Sequence, residues 1–198
     1  SNDIFNKIIN DIQVLYDVNT QAIVCDLHPG YASTRWAEQQ GLPLVRVQHH
    51  AAHASSLAGE HPDIQNWLVF TWDGVGYGSD GTLWGGEALA GRPGGWNRAA
   101  SFRPFQLVGG DKAGREPWRS AAALLWAEGK TLPGDILAGA AQPAINAEAL
   151  RLAHQAWQRG SNVFESSAAG RLFDAAAALI LGRNSSSFEG QGPMELEH

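Results

Sequence analysis

His49 and His53 stand four residues apart in an Ala-rich stretch, and Asp73 closes the apolar run WLVFTWD further along the chain. On a helix, that spacing puts both imidazoles on one face, about one turn apart. Two such side chains can bind one metal ion or one anionic ligand; the same pair also occurs on helices that bind nothing. Gly74, Gly76 and Gly78 follow Asp73, so the run reads as a buried strand entering a tight Gly turn. Glycines at this spacing let backbone N–H groups approach a ligand, as phosphate loops do. An Asp-Gly pair after a strand also makes a plain hairpin turn. Taken together, a His pair and a carboxylate at a strand end predict a metal or nucleotide site. Its three side chains should then converge within about 5 Å. Glu87, closing the next WGGE run, is either a ligand-facing carboxylate or, more simply, a polar position on a strand.

These residues need elements to hold them. Asp3 to Tyr16 carries Ile4, Phe5, Ile8, Ile9, Ile12 and Leu15 at helical spacing, with Asp3 as candidate N-cap. Gln21 to Leu27 reads as a short buried strand broken by His28, Pro29 and Gly30. His28 either serves a site or stabilises its own turn. A helix over 31–40 ends at Gly41, a strand runs from Leu42 to Val47, and the His helix spans Gln48 to His61 before Pro62. This order predicts an α/β segment with some parallel pairing. Residues 67–72, 82–90 and 98–107 read as strands of an antiparallel meander with Gly-rich turns. Helices follow over 117–128, 146–159 and 171–181, packed together by Trp118, Trp126, Trp157 and Phe173. Residues 138–144 form either a loop or a helix, and 184–187 and 190–192 read as turns. The fold class is therefore α/β, a mixed sheet followed by a helical portion. The expected divisions are 1–66, 67–108 and 109–198.

Composition narrows the function. The 198 residues are 44% hydrophobic and 17% charged, enough for a folded core. The net charge of −6 argues against non-specific nucleic-acid binding. Neither a membrane-spanning apolar run nor a signal peptide is visible. The one cysteine, Cys25, cannot form an internal disulfide and fits a reducing cytoplasm; its place in a strand predicts a buried, inert thiol. Ser1, Asn2 and the terminal Leu196, Glu197 and His198 look like expression-vector remnants, although Glu195 to Glu197 could be native.

Six ordered runs carry a family resemblance. They are CDLHPGYASTRWA (Cys25 to Ala37), VQHHAAHAS (Val47 to Ser55), DGVGYGSDGTLWGGE (Asp73 to Glu87), GGDKAGREPWR (Gly109 to Arg119), GRLFDAAAALI (Gly170 to Ile180) and FEGQGPMELE (Phe188 to Glu197). They resemble the carboxy-terminal carbamoyltransferase region of the hydrogenase maturation factor HypF family. The resemblance covers nearly the whole chain and implies part of an acetate/sugar kinase–Hsp70–actin (ribonuclease-H-like) fold. In that family this region takes a carbamoyl group from carbamoyl-adenylate, made from carbamoyl phosphate and ATP by a YrdC-like domain. It passes the group to the C-terminal cysteine of the partner HypE, on the way to the cyanide ligand of nickel–iron hydrogenase.

The resemblance implies roles for single residues. His49, His53 and Asp73 match the metal and catalytic positions, with Mg²⁺, Fe²⁺ or Zn²⁺ as the divalent ion. Gly74, Gly76 and Gly78 would leave backbone donors for the adenylate phosphate. Gly170 and Asp174 match a ribose-contacting helix start; tight packing and helix capping are their plain alternatives. Asp111, Arg115 and Arg119 would contact phosphate or a partner, or else form an interface salt bridge. The family's N-terminal phosphate hairpin and a later metal-binding aspartate have no counterpart in these residues. The chain is thus expected to be a fragment that binds nucleotide and metal weakly and cannot complete the reaction alone. A small-molecule kinase of the same superfamily and an inactive interaction module are the competing readings.

Overall fold

Ile23–Asp26 (β1) and Leu44–Val47 (β2) pair in parallel, with Ile23 opposite Leu44 and Asp26 opposite Val47. A parallel pair needs a crossover, and Ala32–Glu38 (α2) lies on it. The computed structural model describes residues 2–132 and 145–197, so the 138–144 stretch lies outside the described residues. The chain separates into two compact units, Ser1–Gln48 and His49–His198. In the first, the helix Asn2–Leu15 (α1) meets α2 through an edge-on Phe5–Trp36 contact at 5.3 Å. Trp36 Nε1 also donates to Asn6 Oδ1 at 2.5 Å. The turn after β1 is held locally. The His28 N–H donates to Asp26 Oδ1, the Gly30 N–H donates to His28 Nδ1, and the His28 ring stacks on Tyr31 at 4.2 Å. His28 is thus occupied as a turn stabiliser. Cys25 is half-buried rather than buried.

In the second unit, His49–Glu60 (α3) precedes a sheet built from Trp67–Tyr77 (β3), Leu83–Gly91 (β4), Asn97–Ser101 (β5), Phe105–Val108 (β6) and Val163–Ser166 (β7). Among the described residues the order is β3-β4-β7-β6, with β5 also on β4. Strand β3 alternates, as a half-covered strand should: Val69 and Thr71 are buried, while Leu68, Phe70 and Trp72 are exposed. Helix α3 packs on the buried face because that side of it is small. Ala54 is 0% exposed and shares a cluster with Val69, Trp84 and Leu89. The Trp96 indole N–H fastens α3 by donating to Ser55 Oγ at 2.9 Å. Trp118–Ala127 (α4), Ala147–Gln158 (α5) and Ala169–Leu181 (α6) build the larger core with Val108, Trp118, Trp126, Ala153 and Ala178. Asn146 caps α5, accepting from the N–H groups of Glu148 and Ala149.

Several expectations from the sequence change here. The strand entering Asp73 does not turn there. It runs on to Tyr77 across a bulge between Trp72 and Gly76, and the reversal falls at Gly78–Gly81. The bulge adds residues to one side of the ladder and re-aims the side chains beside it. The expected 98–107 strand is two: Pro104, which has no N–H, lies in the break, and β6 pairs with β7 instead of continuing the meander. Strand β7 and the short helix Gln191–Leu196 (α7) were not foreseen. Phe173 is 46% exposed and does not join the tryptophans in the helical core. No helix among the described residues is long and apolar enough to cross a membrane.

Candidate functional site

The helical spacing of α3 and the end of the regular β3 ladder bring the predicted triad together. Ligand atoms of His49, His53 and Asp73 all lie within 4.8 Å of one another. His49 Nε2 is 2.8 Å from Asp73 Oδ2 and 3.2 Å from His53 Nε2, and His53 Nε2 is 3.7 Å from the same carboxylate oxygen. Lone pairs on three such atoms repel unless a proton or a cation lies among them. Two imidazole nitrogens and one carboxylate oxygen form a donor set that suits a divalent ion: the nitrogens favour Zn²⁺ or Fe²⁺, the oxygen Mg²⁺ or Fe²⁺. The other Asp73 oxygen, Oδ1, accepts from the Gly74 N–H at 2.6 Å, which fixes the carboxylate.

Beneath this cluster lie one residue that the sequence reading missed, His50, and one that it weighed differently, Glu87. His50 is fully buried, with Nε2 3.9 Å from Asp73 Oδ2 and 4.0 Å from Glu87 Oε2. Burial lowers its pKa; the Glu87 charge opposes that only in part. Glu87 is neither ligand-facing nor a plain strand position. It is buried, with Oε2 accepting from the N–H groups of Gly85 and Gly86 at 2.6 and 2.7 Å. Its Oε1 accepts from Arg98 Nη2 at 2.8 Å and from the Ser167 hydroxyl. Four donors offset the cost of enclosing a carboxylate. The adjacent second histidine of the HH pair was the one available clue to His50.

Next to the triad is a cavity of about 310 Å³ lined by Asp73, Gly74, Gly170, Arg171, Asp174 and Glu189, with Trp72 and Phe173 among its walls. Gly170 is required by the fit of α6 on β3: a Cβ there would lie 2.7 Å from Gly74 Cα and 3.1 Å from the Asp73 carbonyl oxygen. Arg171 pairs with Asp174 at 3.0 Å, one turn apart on α6. Burial pushes Asp174 up to about 6; Arg171 opposes the shift and Glu189 adds to it.

Asp73, Gly74, Gly170 and Asp174 thus share one cavity, whereas Gly76 and Gly78 stand apart from its lining. The Gly74 and Gly78 N–H groups donate to Asp73 Oδ1 and to the Thr82 carbonyl, so both have partners within the chain. Gly76 and Gly78 serve clearance instead. A Cβ on Gly76 would meet His50 Cε1 at 2.3 Å and His49 Cδ2 at 2.8 Å; one on Gly78 would meet the Trp84 indole at 2.1 Å. Arg119 pairs with Glu116 at 2.6 Å and lies over the Trp118 ring, while Asp111 and Arg115 are exposed.

Comparison with known proteins adds the following. Residues 69–198 match a family model described as carbamoyltransferase, Kae1-like domain, second subdomain, and residues 1–60 match the HypF Kae1-like domain. The chain is 41% identical to the carbamoyltransferase HypF of Synechocystis sp. over 209 residues, covering 98% of this chain and 27% of that protein. It is 40% identical to the carbamoyltransferase HypF of Rhodobacter capsulatus, covering 94% and 25%. A solved structure of full-length HypF in its phosphate- and nucleotide-bound form superposes with a TM-score of 0.86 at 31% identity, over 98% of this chain and 25% of that one. The chain therefore spans about a quarter of the length of these relatives.

Proposed function

We start from one premise, that this chain belongs to the HypF Kae1-like carbamoyltransferase family, and we propose that it forms the metal and adenylate site of a carbamoyl transfer. In this reading His49, His53 and Asp73 hold a divalent metal, and the cavity beside them takes ATP or carbamoyl-adenylate. The carbamoyl group then goes to a thiol, that of the C-terminal cysteine of HypE, for the cyanide ligand of nickel–iron hydrogenase. One observation carries the proposal: Asp73 is common to both places. Its Oδ2 faces the His pair while the residue also lines the cavity with Gly74, Gly170 and Asp174.

When bound, a divalent ion supplies charge balance for phosphate and polarises a carbonyl. The chain's own residues do the rest. His49 Nε2 and Asp73 Oδ2, 2.8 Å apart, face the same point, so an ion held there would leave the His49 proton on Nδ1. The α6 start, held close to β3 by Gly170, forms one wall of the cavity. Asp174, with its raised pKa, can carry a proton and donate it to a ligand hydroxyl, or accept from one once ionised. The aromatic walls of Trp72 and Phe173 suit a planar base. A full-length HypF has been solved in a phosphate- and nucleotide-bound form, which is consistent with a nucleotide as a ligand of the whole protein.

The test is His49→Ala and His53→Ala in the full-length relative, with carbamoyl transfer to HypE and adenylate formation measured separately. Transfer should be lost and adenylate formation kept; normal transfer in both variants sinks the assignment. For this chain, calorimetric titration with Mg²⁺ or Fe²⁺ and then ATP should give binding weaker than micromolar. Tight binding with turnover would show that the remaining family segments are dispensable.

A further inference from the structure

The residue left over by the metal and cavity assignments is His50. Filling space between a helix and a sheet calls for an apolar side chain of similar volume; an imidazole sealed from water costs desolvation and gains nothing in packing. Its ring nitrogen instead lies between two carboxylates on neighbouring strands, 3.9 Å from Asp73 Oδ2 on β3 and 4.0 Å from Glu87 Oε2 on β4. Glu87 cannot move, since two backbone N–H groups, Arg98 and Ser167 all donate to it. Gly76 is open for the same ring: any side chain there would collide with His50 Cε1.

We infer that His50 and the anchored Glu87 form a buried positioning unit that holds Asp73 Oδ2 toward His49 and His53. This rests on the reading of those three as a metal site. His50 touches no substrate in this scheme. It screens Asp73 from Glu87, whose charge would otherwise repel the ligating oxygen across the strand pair. Asp73 Oδ1 is tied to the Gly74 N–H, and the His50 ring lies 3.9 Å from Oδ2, filling the space into which the carboxylate would otherwise swing away from His49 and His53. Partners behind metal ligands commonly govern metal affinity in this way.

The experiment uses the 198-residue chain with His50→Ala, His50→Gln and Glu87→Gln. The first readout needs no metal: side-chain ¹⁵N NMR of His49 and His53, which reports which ring nitrogen carries the proton. The second is Co²⁺ titration, followed by calorimetry and by the d–d absorption of the bound ion. His50→Ala should shift the His49 ring resonances, weaken Co²⁺ binding by about 10- to 100-fold and alter the absorption envelope. His50→Gln, whose amide reaches the place of Nε2, should recover part of both. A folded His50→Ala chain with unchanged His49 resonances overturns the inference. If the unsubstituted chain takes up no Co²⁺, the metal reading fails, and the positioning role is decided by the NMR readout alone. Should His50→Ala fail to fold, Glu87→Gln carries the same two readouts with the same deciding outcomes.

Discussion

Asp73 and Asp174 line one cavity from two elements, and their surroundings suit opposite tasks. Asp73 is 27% exposed and meets three imidazoles and a backbone N–H. Asp174 is buried on α6 between an arginine one turn away and the charge of Glu189, and burial raises its pKa to about 6. One carboxylate is presented, oriented and open to a cation; the other is enclosed and takes up its proton near pH 6, well above the ordinary carboxylate range. A pair of like groups kept apart in this way is how one pocket can hold both a charged ligand atom and a proton-carrying one.

Removing a donor from the presented side should have the largest effect. His49→Ala and His53→Ala each delete one of three converging atoms, and each should weaken Co²⁺ or Zn²⁺ binding by more than about 100-fold in calorimetry. Equal affinity in either variant would erase the contrast. On the enclosed side, the folded pKa of Asp174 lies above its unfolded value of 3.8. Its contribution to stability is then fully present below about pH 3.8 and is lost as pH rises through about 6. Asp174→Asn should remove that loss, raising stability at pH 7 by at most on the order of 3 kcal/mol. Urea unfolding at several pH values checks it, and parallel curves for the two proteins would contradict it. Gly170→Ala tests whether the two sides are coupled through α6. The added methyl meets backbone, so the helix must shift, and urea unfolding should show a loss of about 2 kcal/mol. Smallest of all, Asn146→Ala removes a cap far along the chain and should cost about 1 kcal/mol. Metal binding unaltered in that variant would show that the site tolerates a loss of this size elsewhere.

The presented side was largely legible in the sequence. The His49/His53 spacing maps directly onto a helix face, and Asp73 closes a visibly apolar run. Gly170 and Asp174 were named from family likeness alone; nothing in their local pattern says that they face Asp73 across a cavity. The glycines after Asp73 show where motif reading leaves two alternatives open. A Gly-rich run looks the same whether its N–H groups wait for a phosphate or its missing side chains leave room for His50 and Trp84. His50, and the burial of Glu87, were hidden for a related reason. Polar residues on a helix and a strand read as solvent-facing until the opposing layer is known, and here both are sealed beneath it. Strand β7 is four residues long, too short for a reliable alternating pattern, and it exists through pairing with β6.

By itself the sequence determined most of the helices and strands, which imidazoles share a face and which family the motifs resemble, because these follow from neighbours within a turn or two of chain. Tertiary structure alone decided that Asp73 serves two places at once, that Asp174 is desolvated enough to hold its proton near pH 6, and that His50 lies between two carboxylates. Those properties depend on what is excluded from around a side chain, water above all, and exclusion is a result of packing between segments distant in the chain.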